Sequence, residues 1–265
     1  MSEGPGGIDG MSAQRIMALA QAGVAVEVVA ETGSTNADLL ARAPALSAPL
    51  LLIAEHQNAG RGRAGRSWLS APGHSLTFSL AWPFTGGPAR LAGLPLAVGT
   101  ALAETLARLG QPVALKWPND LLKDGDKLAG ILVETAQGRD GATWAVAGIG
   151  LNLAMPDELE ARIGRAVAAV PWLARMERDA LMAALLDGLA AALREFSEHG
   201  FGAFSARWNL LHAYQGQQVV ILDRGEVLHE GLAAGVDDSG RLLLDGAAGR
   251  IAVLAGDVSL RPRGA

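Results

Sequence analysis

The stretch Gly60-Arg61-Gly62-Arg63-Ala64-Gly65-Arg66-Ser67-Trp68 separates two fold classes. Gly60, Gly62 and Gly65 satisfy the spacing G-x-G-x-x-G, which in a dinucleotide-binding fold lies between a strand and the helix that it opens. Here the chain continues into Leu69-Ser70-Ala71-Pro72-Gly73, which breaks any such helix within two turns. Nor does a Gly-Lys-Ser/Thr follow, so the segment is no Walker loop. What remains is a glycine-rich loop with three arginines in six positions, set in a chain whose net charge is -5. Glycine lets backbone approach a ligand, and arginine forks take phosphate or carboxylate bidentately. The segment is therefore read as a loop that folds over an anion, with a solvated surface loop as the alternative.

The surrounding composition narrows the classes. The chain has 265 residues, half of them hydrophobic, enough for a sizeable core. Its 22 Lys and Arg against 27 Asp and Glu argue against wholesale coating of nucleic acid. With no cysteine, disulfides, thiolate nucleophiles and thiolate-held zinc are excluded, which fits a cytoplasmic setting. His56, His74, His199, His212 and His229 lack the spacing of a metal cage. No secretory pattern opens the chain, and the charge-poor stretch 91–103 is shorter than the ~20 residues of a spanning helix. Neither export nor membrane insertion is expected.

Periodicity and punctuation give an α+β order. Residues 1–23 read as a tail and a short helix over 12–22, with Ser12 as N-cap. Strands follow over 24–30 and 50–54, separated by a helix that Ser34 or Thr35 caps. Leu76, Phe78 and Leu80 alternate with small or polar residues, as in a strand with one buried face. A helix over 88–109, a strand over 113–117, a turn at 123–127 and strands over 128–135 and 143–153 come next. Helices near 157–163, 178–199 and 201–213 close a domain spanning 24–214. Short strands over 219–222, 226–232, 241–244 and 251–254, cut by Gly or Asp turns, make 215–265 a small β-barrel.

Four further segments carry polar chemistry. Lys116-Trp117-Pro118-Asn119-Asp120 presents a cation, an amide and a carboxylate on a stiffened turn, suited to phosphate and magnesium or simply structural. Lys127 opens the apolar run Leu128-Ala129-Gly130-Ile131-Leu132-Val133-Glu134; it either neutralises an anion in a cleft or reaches solvent at a strand end. Gly148-Ile149-Gly150-Leu151-Asn152 places glycines in a buried strand, where backbone can approach a ligand. Ser34-Thr35-Asn36 offers small polar groups, or merely a helix cap.

In this order, the segments at 34–36, 55–68, 116–120, 127–132 and 148–152 resemble the biotin-protein ligases, and the likeness extends over residues 26–263. It implies a monofunctional enzyme: a catalytic domain of the class II aminoacyl-tRNA synthetase kind, a mixed sheet flanked by helices, followed by an SH3-like barrel. Biotin and ATP would give biotinyl-5'-AMP, and the acyl group would pass to a lysine of a biotin carboxyl carrier protein, the domain borne by enzymes such as acetyl-CoA carboxylase. On this likeness Ser34, Thr35, Asn36 and Gln57 bind the biotin ring, Gly130 and Gly148 line its slot, and Gly60, Arg61, Gly62 and Arg63 close over the adenylate. Lys127 meets the biotin carboxylate and α-phosphate; Lys116, Asn119 and Asp120 handle the triphosphate and Mg2+, with Asp120 also a candidate base. Arg63 and Arg66 contact ATP, while Trp68 and Asn152 hold adenine. The alternatives weighed are a lipoate or octanoyl ligase and a biotin-sensing DNA-binding repressor. Only 23 residues precede the first strand, with Arg15 their one basic side chain, so no DNA-reading domain and no nucleic-acid partner are expected. A homodimer is left open.

Overall fold

The structure, a computed structural model, describes residues 10–139, 141–154, 160–161 and 167–264. The expected helix near 157–163 therefore lies almost entirely outside the described residues, as do residues 1–9 of the tail. Ser12 caps α1 (Ala13–Leu19), its hydroxyl accepting from the Arg15 amide. Strand β1 (Ala25–Thr32) leads into α2 (Thr35–Arg42), where Ser34 Oγ accepts from the Ala37 amide. Then come β2 (Leu50–Gln57), β3 (Ser75–Phe84), α3 (Leu94–Arg108), β4 (Ala114–Lys116), β5 (Asp120–Lys123), β6 (Asp126–Gln137) and β7 (Thr143–Asn152). Helices α4 (Arg178–His199) and α5 (Gly202–Leu210) follow.

The seven strands form one mixed sheet in the order β1-β2-β3-β7-β6-β5-β4, parallel between β1 and β2 and antiparallel elsewhere. Alternation assigns its two faces. Leu51 and Ile53 of β2 enter the main core with α1, α3 and α4, while Leu50 and Leu52 enter a smaller cluster with Leu39 of α2, Trp144 and Val146. A strand at the sheet's centre is thus covered twice. This corrects the expectation for β3, which is buried on both faces: Leu76, Phe78 and Leu80 serve the main core, and Ser75, Thr77 and Ser79 are buried as well. Its small residues mark a face that packs tightly, not one that meets water.

The helix expected over 88–109 is also corrected. A 3₁₀ turn (Pro88–Leu91) is cut from α3 by Gly93, whose φ of +79° is a left-handed conformation natural to glycine. Phe201 packs so closely there that an added Cβ would lie 2.5 Å from its ring.

The C-terminal part is a five-stranded antiparallel sheet of β8 (Gln218–Asp223), β9 (Glu226–Val236), β10 (Leu242–Gly246), β11 (Gly249–Val253) and β12 (Val258–Pro262), in the order β11-β10-β9-β8-β12. Among the described residues β11 and β12 are not hydrogen-bonded to each other, so the ladder does not close as a barrel's would. Val219, Ile221, Leu242, Leu244 and Leu260 belong to the same core cluster as the larger sheet. The seam is also polar: Trp117 Nε1 donates to Gly240 O at 3.1 Å, and Asn209 exchanges two hydrogen bonds with the Val236 backbone. The connecting segment extends the large sheet, Leu115 N donating to Leu211 O and Ala213 N to Leu115 O.

Candidate active site

The strand order brings the five polar segments to one cavity of about 670 Å³, closed on one side by residues 257–261 of the small sheet. One end is a slot of neutral hydrogen-bonding groups. Its residues come from the start of α2 (Thr35, Asn36), the end of β2 (Gln57) and the middle of β3 (Ser79). Thr35 N donates to Gln57 Oε1 at 2.8 Å, the hydroxyls of Thr35 and Ser79 lie 2.7 Å apart, and Ser79 Oγ donates to Asn36 Oδ1 at 2.8 Å. Each hydroxyl has one proton. Ser79 places its proton on Asn36, so the one Thr35 proton is shared between Ser79 Oγ and Gln57 Oε1, the latter at 3.1 Å. The amide orientation of Asn36 follows: Oδ1 faces Ser79, and Nδ2 donates to Glu134 Oε2 at 2.7 Å.

Gly148 stands beside Ser79 in the β3–β7 register, and a Cβ there would lie 2.4 Å from Asn36 Oδ1. The missing side chain is what lets Asn36 enter the slot. Ser34 caps α2 and also lines the cavity.

The other end is cationic. Lys116, Lys127, Arg63, Arg66 and Arg261 line it together with Asp120 and Asp257. The register that pairs Asp120 with Gly130 lets Lys127 Nζ reach Asp120 Oδ1 at 2.5 Å, with both side chains largely buried. The lysine therefore turns inward, away from the solvent alternative. Asn119, after the cis Trp117–Pro118 peptide, donates to Ile131 O and accepts from Arg63 at 3.0 Å. Arg63 also donates to Gly256 O of the small sheet. Burial pushes its guanidinium below the ordinary arginine value, partly countered by Asp120 and Asp257. Nearby, burial and the charge of Asp120 push the Tyr214 phenol up.

Between the two ends lies Trp68. Gly130 and Gly150 are register partners on β6 and β7, and an added Cβ at Gly150 would fall 2.1 Å from the indole. Lys127 Nζ sits 5.7 Å from the ring centroid, and the buried indole Nε1 has no hydrogen-bond partner. Asn152 Nδ2 reaches Lys127 O at 3.4 Å.

The Gly/Arg loop is a compact hairpin: Gly62 N donates to Arg66 O, Trp68 N to Gly60 O, and the turn passes through Ala64 and Gly65 with positive φ. Gly60 does not line the cavity; it lies under the loop, where a Cβ would be 2.5 Å from Trp68 O. Arg61 borders the cavity and pairs with Glu134 at 2.7 Å. Sequence reading missed Ser79, Glu134, Asp257 and Arg261 as parts of this assembly. Only register reveals the first two, and only the docking of the small sheet reveals the others. Among the described residues no cluster of three or more His, Cys, Asp or Glu could hold a metal.

Residues 26–153 match the biotin/lipoate A/B protein ligase family and residues 214–261 the biotin protein ligase C-terminal domain. The chain is 38% identical over 248 residues to the biotin--[acetyl-CoA-carboxylase] ligase of Mycobacterium tuberculosis, covering 88% of each. To the bifunctional ligase/repressor BirA of Escherichia coli it is 37% identical over 247 residues, 90% of this chain and 75% of that protein. The biotin protein ligase of Aquifex aeolicus, solved with biotin and ATP, superposes with a TM-score of 0.74 at 28% identity, over 89% of this chain and 98% of that one. Fold, two-ended cavity and relatives agree, and the chain belongs to the biotin protein ligase family.

Proposed function

We infer that the chain condenses biotin with ATP to biotinyl-5'-AMP and passes the biotinyl group to a lysine of a biotin carboxyl carrier protein, in the cytoplasm. The observation that carries this is the joining, at Lys127 and Trp68, of a neutral polar slot to a cationic chamber within one cavity. A ureido ring offers a carbonyl acceptor and N–H donors, which suit the Thr35, Asn36 and Gln57 groups; a dithiolane or plain acyl chain has no use for them. That favours biotin over lipoate or octanoate. ATP fits the chamber of Lys116, Arg63, Arg66 and Arg261, with adenine near Trp68 and Asn152.

In the first step the biotin carboxylate attacks the α-phosphorus and pyrophosphate leaves. Lys127, at the junction, faces the place where negative charge gathers, and Arg61 and Arg63 approach it from the loop. In the second, the acceptor ε-amine attacks the acyl carbon and AMP leaves. The 2.5 Å contact with Lys127 supports Asp120 as that lysine's counter-ion more than as a free base. Mg2+ brought with the triphosphate would be held by Asp120, which lines the cationic end with Asp257, and it would supply charge neutralisation at the phosphate oxygens. Catalysis is then positioning and electrostatics, because the attacking groups come from the substrates.

The test is mass spectrometry of a purified carrier domain incubated with the protein, biotin and Mg-ATP. A gain of one biotinyl group that requires ATP is expected; an unmodified carrier, or a lipoyl gain in competition, overturns the reading.

A further inference from the structure

We propose that Glu134 is a positioning residue for biotin activation, one carboxylate oxygen setting both the ring slot and the closing loop. This deepens the function inferred above and rests on it. Glu134 lies on β6, outside the lining of the main cavity, so it reaches a ligand only through other side chains. Its Oε2 accepts from Asn36 Nδ2 and from an Arg61 guanidinium nitrogen, each at 2.7 Å. These donors belong to different parts of the site: Asn36 sits on α2 within the slot, and Arg61 on the Gly/Arg loop.

The consequence follows from counting donors. Asn36 Oδ1 is held by Ser79 and Nδ2 by Glu134, so the amide cannot flip and meets its ligand in one orientation. Arg61 is half exposed and has a long side chain, whose freedom would be lost on closing over an anion. Anchored to Glu134, it has lost that freedom before the ligand arrives, and its remaining N–H groups stay available. The loop, Leu132, Glu134 and Asp257 also line a second cavity of about 480 Å³, so the Arg61–Glu134 pair ties the loop to β6 where packing leaves space. The relay thus runs from Thr35 through Ser79 and Asn36 to Glu134 and ends on Arg61, linking recognition of the ring to the loop that would retain the adenylate.

Two variants separate these roles. Glu134→Gln keeps an acceptor for Asn36 but removes the charge that holds Arg61; Glu134→Ala removes both. Biotin-dependent pyrophosphate exchange, release of preformed biotinyl-5'-AMP on rapid filtration, and thermal midpoints are measured for wild type and both variants. Glu134→Ala is expected to raise the KM for biotin about tenfold and to release the adenylate faster, while Glu134→Gln keeps the KM within about threefold yet releases the adenylate as Ala does. Wild-type behaviour in both variants, or equal KM changes in both that follow a fall in thermal midpoint, overturns the proposal. Loss of exchange in the wild-type protein itself would sink the functional reading instead, and this proposal with it.

Discussion

At the scale of single residues, two substitutions divide chemistry from recognition. Lys127→Ala removes a cation that touches Asp120 and lies beside the indole at the junction of the two cavity ends. Its charge matters most where negative charge gathers in the transition state, so the variant should lose about 10²–10³-fold in adenylate formation while ATP binding changes little. Single-turnover adenylate formation and ATP titration check this together; an unchanged rate in a folded variant removes Lys127 from the chemistry. Gly148→Ala acts at the other end. The added methyl would strike Asn36 Oδ1 at 2.4 Å and press on Ser79 at 3.3 Å, in a strand whose backbone is held on both sides. Asn36 must leave its place, so biotin affinity should fall about tenfold or more with kcat for a saturated enzyme less affected. Calorimetric biotin binding near the wild-type value would show that Asn36 does not recognise the ring.

At the scale of elements, the segment at 211–213, bridging β4 and the small sheet, contains a group tuned by its surroundings. His212 is 7% exposed, stacks on Trp208 with ring centroids 4.7 Å apart, and has a buried Nε2 without a partner. Burial lowers its pKa to about 4, with Gln215 opposing weakly. In the unfolded chain it would titrate near ~6.5. The folded form therefore binds fewer protons between those values: the contribution is complete above about pH 6.5 and is lost as pH falls toward 4, for a total of about 3 kcal/mol. Thermal midpoints from pH 7 to pH 4 should fall more steeply for wild type than for His212→Gln, and parallel curves would show that the imidazole is not the titrating group. The same scale shows what sequence reveals. Helix α4 spans 178–199 as expected, because a long apolar period ends at Gly200, a local signal. Helix α3 is shorter than expected because the break at Gly93 is dictated by Phe201, more than a hundred residues away. β12 was not distinguished as a strand, for its pairing with β8 supplies what its Pro-containing sequence lacks. The cavity's polar segments were legible as motifs; their relay through Ser79 and Glu134 was not, since a buried serine in a strand carries no mark of what it will face.

At the scale of the whole molecule, the question is whether residues 215–264 are an attachment or part of the enzyme. Two observations make them part of it. Their apolar residues share one core with the large sheet, and Trp117, fully buried, hydrogen-bonds to Gly240 across the seam. The site is shared as well: Asp257 and Arg261 line the cavity, and Arg63 donates to Gly256 O. Removing the small sheet would bare Leu96 and Trp117, which meet Gly240; exposing two such large side chains costs about 5 kcal/mol. For a remaining chain of this size that corresponds to a fall of roughly 10–20 °C in thermal midpoint. Truncation after residue 214 should thus lower stability and abolish adenylate formation together, which alone would not separate the two. Arg261→Ala in the intact chain does so, because it leaves the shared core and the Trp117 contact in place. Its midpoint should stay within a few degrees of wild type while the KM for ATP in pyrophosphate exchange rises about tenfold, the loss of one charged contact to phosphate. An unchanged KM would confine the small sheet to a structural role, and a truncated chain of full stability would show that the shared core contributes little.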